Sequence, residues 1–149
     1  MITPIVKWIG GKSQIIDEVL KKIPDRVDTY WEPFVGGGSV LLSLLQSERS
    51  IERYIVSDLN ASLVNMYVQI QDHPTRVAGH LRTLATEYAS LPMDDDIATR
   101  KRQPVSKEHV ATKNDLYYHE RGVYNGEHKD TAAHAARFIF LNRTGFRGL

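Results

Sequence analysis

Apolar positions recur along the chain in groups that switch between helical and alternating spacing. Ile15, Ile16, Val19, Leu20 and Ile23 share one face of a helix that Lys12-Ser13 opens and Pro24 stops. A β-prone stretch over 29–33 runs into Val35-Gly36-Gly37-Gly38, and Ser39 then opens an apolar helix over 39–46. A second short strand, around Tyr54-Ile55-Val56, spans 53–57. Leu63, Val64, Tyr67 and Ile70 make a helix over 61–71 amphipathic; Asn60 is placed to cap it and Asp72-His73-Pro74 to break it. Val77, Leu81, Leu84 and Tyr88 mark the next helix face, through Leu91. Residues 92–110 hold hardly any apolar anchor and read as a charged loop. Residues 114–124 read as helical, and Thr131 caps a last helix to 142 with Ala132, Ala135, Ala136, Ile139 and Phe140 on its apolar side.

Two strand–helix units in succession predict a parallel sheet with helices on its faces. Between the first strand and its helix, three consecutive glycines put free backbone N–H groups at the carboxyl end of the sheet. A plain glycine turn is one reading. A dinucleotide fingerprint is another, and it matches Gly36 and Gly38 but meets Leu41 where its third glycine belongs. About twenty positions on, where such folds place an acid against a ribose, stands Asp58. The pattern therefore predicts a site for an adenosine-bearing cofactor with no pyrophosphate, of which S-adenosylmethionine is the common example. Gly11-Lys12-Ser13 ends like a phosphate loop, but that motif requires a glycine at Val6 and a full strand before it.

Composition narrows the class little. Apolar content of 42% and charged content of 25% suit a soluble globular domain, and 149 residues suffice for one core. The net charge of +1 carries no global attraction for nucleic acid, although Arg137, Arg143 and Arg147 follow Asp130 with no carboxylate among them. With no cysteine there are no disulfides or thiolate metal sites, which fits a cytoplasmic protein. No stretch reaches the roughly eighteen apolar residues of a membrane span. Six scattered histidines, none paired at helical spacing around a glutamate, predict no metal site. The acidic triplet Asp94-Asp95-Asp96 is a poor cation cage, and Arg100-Lys101-Arg102 with Lys107 reads as a solvated charge run.

Glu32-Pro33-Phe34-Val35-Gly36-Gly37-Gly38-Ser39-Val40 resembles the E-P-F-x-G-x-G-S motif of the Dam-type DNA adenine-N6 methyltransferases. Three more segments agree in order and spacing: Lys7-Trp8-Ile9-Gly10-Gly11-Lys12, Ser57-Asp58-Leu59-Asn60, and the stretch from Phe140-Leu141-Asn142-Arg143 to Gly145-Phe146-Arg147-Gly148-Leu149. The resemblance implies a Rossmann-like α/β S-adenosylmethionine-dependent methyltransferase fold with an incomplete parallel sheet. It implies a cofactor-binding part over 1–91, the charged loop over 92–110, and over 111–149 the helical start of a DNA target-recognition region. It further implies that Trp8, Lys12, Phe34, Gly36, Gly38 and Asp58 hold S-adenosyl-L-methionine, with Lys12 on its carboxylate. Lys7, Phe146 and Arg147 would touch double-stranded DNA, although Arg147 stands where the family commonly has an amide, and the acid-free arginine tail adds Arg143 to them.

The family's catalytic Asp-Pro-Pro-Tyr does not occur, and Pro-Pro is absent from the chain. No catalytic residue is therefore expected among these residues. The chain is expected to be an N-terminal fragment inactive alone, or half of a split enzyme whose other part carries the motif. The competing expectation is a degenerate module that binds nucleoside or DNA without chemistry.

Overall fold

The computed structural model describes residues 2–12, 14–93 and 104–145, and the chain divides into two units, Met1–Val64 and Asn65–Leu149. In the first unit, β1 (Arg26–Glu32) and β2 (Ser50–Val56) pair in parallel, with Val27 opposite Ile51 and Trp31 opposite Ile55. Parallel neighbours need a crossover, and α2 (Ser39–Leu45) supplies it. β1 starts earlier in the sequence than its apolar content suggests, because Arg26 and Asp28 occupy exposed positions of a ladder that β2 completes. It stops at Glu32, before Pro33, which has no N–H to offer a ladder.

The core of this unit lies under the glycine turn: Val6, Val35, Val40, Leu41, Leu44 and Leu63 are all buried. Outward, Trp31 and Ile55 remain 65% and 43% exposed, so the sheet carries an apolar patch at its carboxyl end. The expected helix before Pro24 shrinks to α1 (Ile16–Leu20), which packs on α2 but has no buried residue, and Ile15 is exposed. So short a helix depends on outside support. Arg49 provides some of it, its guanidinium donating to the Leu20 and Ile23 carbonyls at 3.0 and 3.3 Å.

α3 (Ala61–Asp72) begins at the end of the first unit, and the Asn60 side chain caps it by accepting from the Leu63 N–H at 3.0 Å. The second unit continues with α4 (Pro74–Ser90), a 3₁₀ turn (Lys107–His109), α5 (Lys113–Gly126) and α6 (Ala132–Thr144). Pro74 sits at the first position of α4, where its missing N–H is harmless. Thr112 and Asp115 form a reciprocal capping box on α5, and Thr131 caps α6 through the His134 N–H. Leu84, Leu116 and Phe140 make the centre of the helical core, with Tyr88 edge-on to Phe140 at 5.5 Å. The carbonyls just before α6 accept from Asn65 and Gln69 of α3. Among the described residues, no helix is long and apolar enough to cross a membrane. Asp94-Asp95-Asp96 and Arg100-Lys101-Arg102 lie outside the described residues.

Candidate functional site

Beyond β1 the chain turns sharply. Gly36 and Gly38 take φ of +51° and +75°, a region that side chains disfavour, and Gly38 is the N-cap of α2. Glycine also makes room there. A Cβ on Gly36 would stand 2.9 Å from Cδ1 of Trp8, and one on Gly37 would stand 3.2 Å from the Trp8 Cβ. The indole thus packs against bare main chain, and the segment that follows it is tied to α2 by the Lys12 N–H donating to Ser39 Oγ at 3.3 Å.

Asp58 lies two residues past β2 and is half-buried. Its Oδ2 accepts from the Gly36 N–H and its Oδ1 from the Asn60 N–H, both at 3.0 Å. The carboxylate is therefore a brace between the two strand ends as well as a candidate ligand, a role not evident in the sequence. Asn60 caps α3, as its position suggests.

These groups surround a cleft of about 180 Å³ lined by Trp8, Lys12, Phe34, Gly36, Ser39 and Asp58. Phe34 stands at its rim, 67% exposed. Glu32 lines it too, a residue to which the sequence pattern alone assigns no role. Burial raises the Glu32 carboxyl above the usual range, opposed by a hydrogen bond from the Tyr30 hydroxyl, the nearby Lys12 charge and the Leu41 backbone. The Tyr30 O–H donates to Glu32 Oε2 at 2.9 Å, and burial with that acceptor pushes the phenol far up. The available signal was positional. Tyr30 and Glu32 are two apart on a strand and so share a face, the face that meets the turn.

Gly38 is placed by the structure in the turn itself, and its N–H donates back to the Val35 carbonyl at 2.9 Å. Of the residues expected at DNA, Lys7 and Arg143 are exposed, Arg143 in the last turn of α6. Phe146 and Arg147 lie outside the described residues. Arg137 departs from the expected basic tail. Its Nε and Nη1 donate to Glu120 and Glu127 at 2.6 Å each, so its charge is used between α5 and α6. Lys107 is likewise paired with Glu87. Both cations line a cleft of about 290 Å³ in the helical unit, larger than the one at the turn but with these charges already matched.

A parallel strand–glycine turn–helix with a carboxylate at the end of the next strand is the arrangement of an α/β protein whose cleft opens at the carboxyl ends of its strands. Comparison with known sequences narrows this. The chain belongs to the D12 class N6 adenine-specific DNA methyltransferase family, whose profile matches residues 8–149. It is 33% identical to the Type II methyltransferase M.MjaIII of Methanocaldococcus jannaschii, over 99% of this chain and 47% of that protein. It is 30% identical to the DNA adenine methylase of Haemophilus influenzae, over 98% of this chain and 42% of the relative. With the DNA adenine methylase of Escherichia coli K12 the identity is 28%, over 97% and 41% of the two chains. The chain thus spans less than half the length of these relatives.

Proposed function

We propose that the cleft at the glycine turn binds S-adenosyl-L-methionine, and that the chain supplies the cofactor-holding part of a methyltransferase acting on adenine N6 in double-stranded DNA. The observation that carries this reading is the state of Asp58. Each of its oxygens accepts one backbone N–H, and an ionised carboxylate offers about four acceptor positions. Capacity remains for the two hydroxyls of a ribose. The other lining residues fit the same molecule. Lys12 and Glu32 bring opposite charges to one cleft, suited to the carboxylate and ammonium of an amino-acid tail. Trp8 and Phe34 offer aromatic surface beside them.

When bound, the cofactor supplies a methyl group made electrophilic by its sulfonium. The residues of this chain bind and orient: Asp58 fixes the sugar, Lys12 and Glu32 fix the tail, and the turn lets the ligand approach the main chain. Such positioning matters because misplacing reacting groups by about an ångström can cost a hundred-fold in rate. Lys7 and Arg143 are the described candidates for phosphate contacts; Arg147 is proposed for the same role and the Phe146 ring for wedging into the base stack. An exocyclic amine also needs acceptors for its protons, and the target base must leave the duplex at a cost of a few kcal/mol. No Asp or Asn followed by Pro-Pro and an aromatic residue occurs in the 149 residues. The chain by itself is therefore proposed to bind without turnover.

Calorimetry with S-adenosylhomocysteine, paired with transfer of labelled methyl to unmethylated duplex, tests both parts. Saturable binding without transfer is expected. Absence of binding would overturn the cofactor reading, and turnover by the chain alone would overturn the second part.

A further inference from the structure

We propose that Tyr30 is a positioning residue for the amino-acid end of the cofactor: its hydroxyl holds the Glu32 carboxylate in place to receive an ammonium group. This rests on the cofactor reading above.

The geometry is specific. The Tyr30 O–H donates to Glu32 Oε2 at 2.9 Å and the Leu41 backbone also hydrogen-bonds the carboxylate, which with about four acceptor positions still has room for a further donor. The tyrosine ring is itself held: Tyr54, its partner across the parallel ladder, meets it edge-on with centroids 6.1 Å apart. Glutamate has several rotatable bonds, and one anchored oxygen removes most of their freedom before a ligand arrives.

The same bond bears on charge. An ammonium needs Glu32 ionised, while burial favours the neutral acid. The charged and titratable groups around it are Tyr30 on its own strand, Lys12 from the segment before α1, and Asp58 across the cleft; Tyr54 stands behind Tyr30, and the Leu41 backbone approaches from α2. Tyr30, Lys12 and Leu41 each favour the carboxylate, and the Tyr30 hydrogen bond is the largest of these contributions. Removing the hydroxyl therefore shifts Glu32 toward the neutral form at any given pH, so that ammonium recognition fails at a higher pH on acidification.

Tyr30→Phe removes that oxygen and keeps the edge-on packing with Tyr54. S-adenosylhomocysteine binding is measured by calorimetry from pH 5 to 8 for both proteins, alongside 5′-methylthioadenosine, which has the nucleoside but no amino-acid tail. The Glu32 side-chain carboxyl is titrated by NMR in the free proteins. The variant is expected to bind S-adenosylhomocysteine about ten-fold more weakly at the acid end, the size of one lost hydrogen bond to a charged group. The gap should narrow toward pH 8, and 5′-methylthioadenosine affinity should be unchanged throughout. Its Glu32 titration should move to higher pH. Parallel profiles, or an equal loss for both ligands, would overturn the proposal by showing a merely structural effect. An unchanged Glu32 titration would overturn it also where the wild type binds neither ligand, the result that removes the cofactor reading itself.

Discussion

The Gly36 N–H and the Asp58 carboxylate are joined at 3.0 Å, tying the turn after β1 to the end of β2. One residue thus serves two ends. Asp58→Ala is expected to weaken S-adenosylhomocysteine binding by roughly 1.5–3 kcal/mol, about ten- to a hundred-fold. It should also speed hydrogen exchange at the Gly36 and Asn60 amides. Asp58→Asn should not rescue, because an amide has one acceptor oxygen and both braced groups are donors. Wild-type affinity in either variant would remove Asp58 from the site.

Glu32 is set against stability. Its carboxyl is raised by burial, so the folded protein holds this proton to higher pH than the unfolded chain, whose glutamates titrate near about 4.3. Stability from this group is therefore greatest in acid and declines as pH rises through the folded value. Glu32→Gln keeps an oxygen for Tyr30 and has no charge to desolvate. Urea melts at pH 7 should find the variant at least as stable as wild type, while calorimetry finds weaker cofactor binding. A destabilised variant with intact affinity would reverse the assignment.

His134 works in the opposite direction. Its side chain is wholly buried and stacked on Tyr124 at 4.2 Å, and burial lowers its pKa despite Glu127 at 3.3 Å from Nδ1. An unfolded histidine takes its proton near about pH 6.5, and the native one resists it. Stability should thus fall as pH drops below that value. His134→Phe preserves ring stacking and removes the titration. Its stability should change less between pH 7 and 5 than that of the wild type, and an equal slope would show that other groups govern the acid limb.

Two arginines six apart on α6 are expected to respond differently to removal. Arg137→Ala leaves the buried Glu120 without its cation, at a cost of roughly 3–5 kcal/mol in denaturant unfolding. Arg143→Ala should leave stability nearly unchanged and reduce the salt dependence of non-specific duplex binding by about 0.9 in logarithmic slope, one phosphate contact. A slope equal to that of the wild type would make Arg143 an ordinary surface charge.

The turn and its acid were readable because they depend on local spacing: glycines between strand and helix, then a carboxylate about twenty residues later. The strand–helix–strand order followed from the same pattern. Partners distant in sequence were not readable. Arg137 looked like part of a basic tail, since Glu120 and Glu127 reach it only once α5 packs on α6. The helix before Pro24 looked long because apolar spacing reports a face, while α1 has little to bury that face against. The sequence marks Tyr30 only as a strand residue, and its hydrogen bond to Glu32 at the cleft emerges only in the fold.

The packing of Trp8 on the glycine turn gives the protein a built-in optical gauge. The chain has two tryptophans, and the other, Trp31, is largely exposed on the sheet. Iodide should quench Trp31 readily, and Trp31→Phe should leave an emission that comes from Trp8 alone. Because that indole lines the cleft, its spectrum becomes a label-free titration signal for whatever enters there. Shifts in emission wavelength on adding a nucleoside would follow occupancy in real time, without isotope or dye.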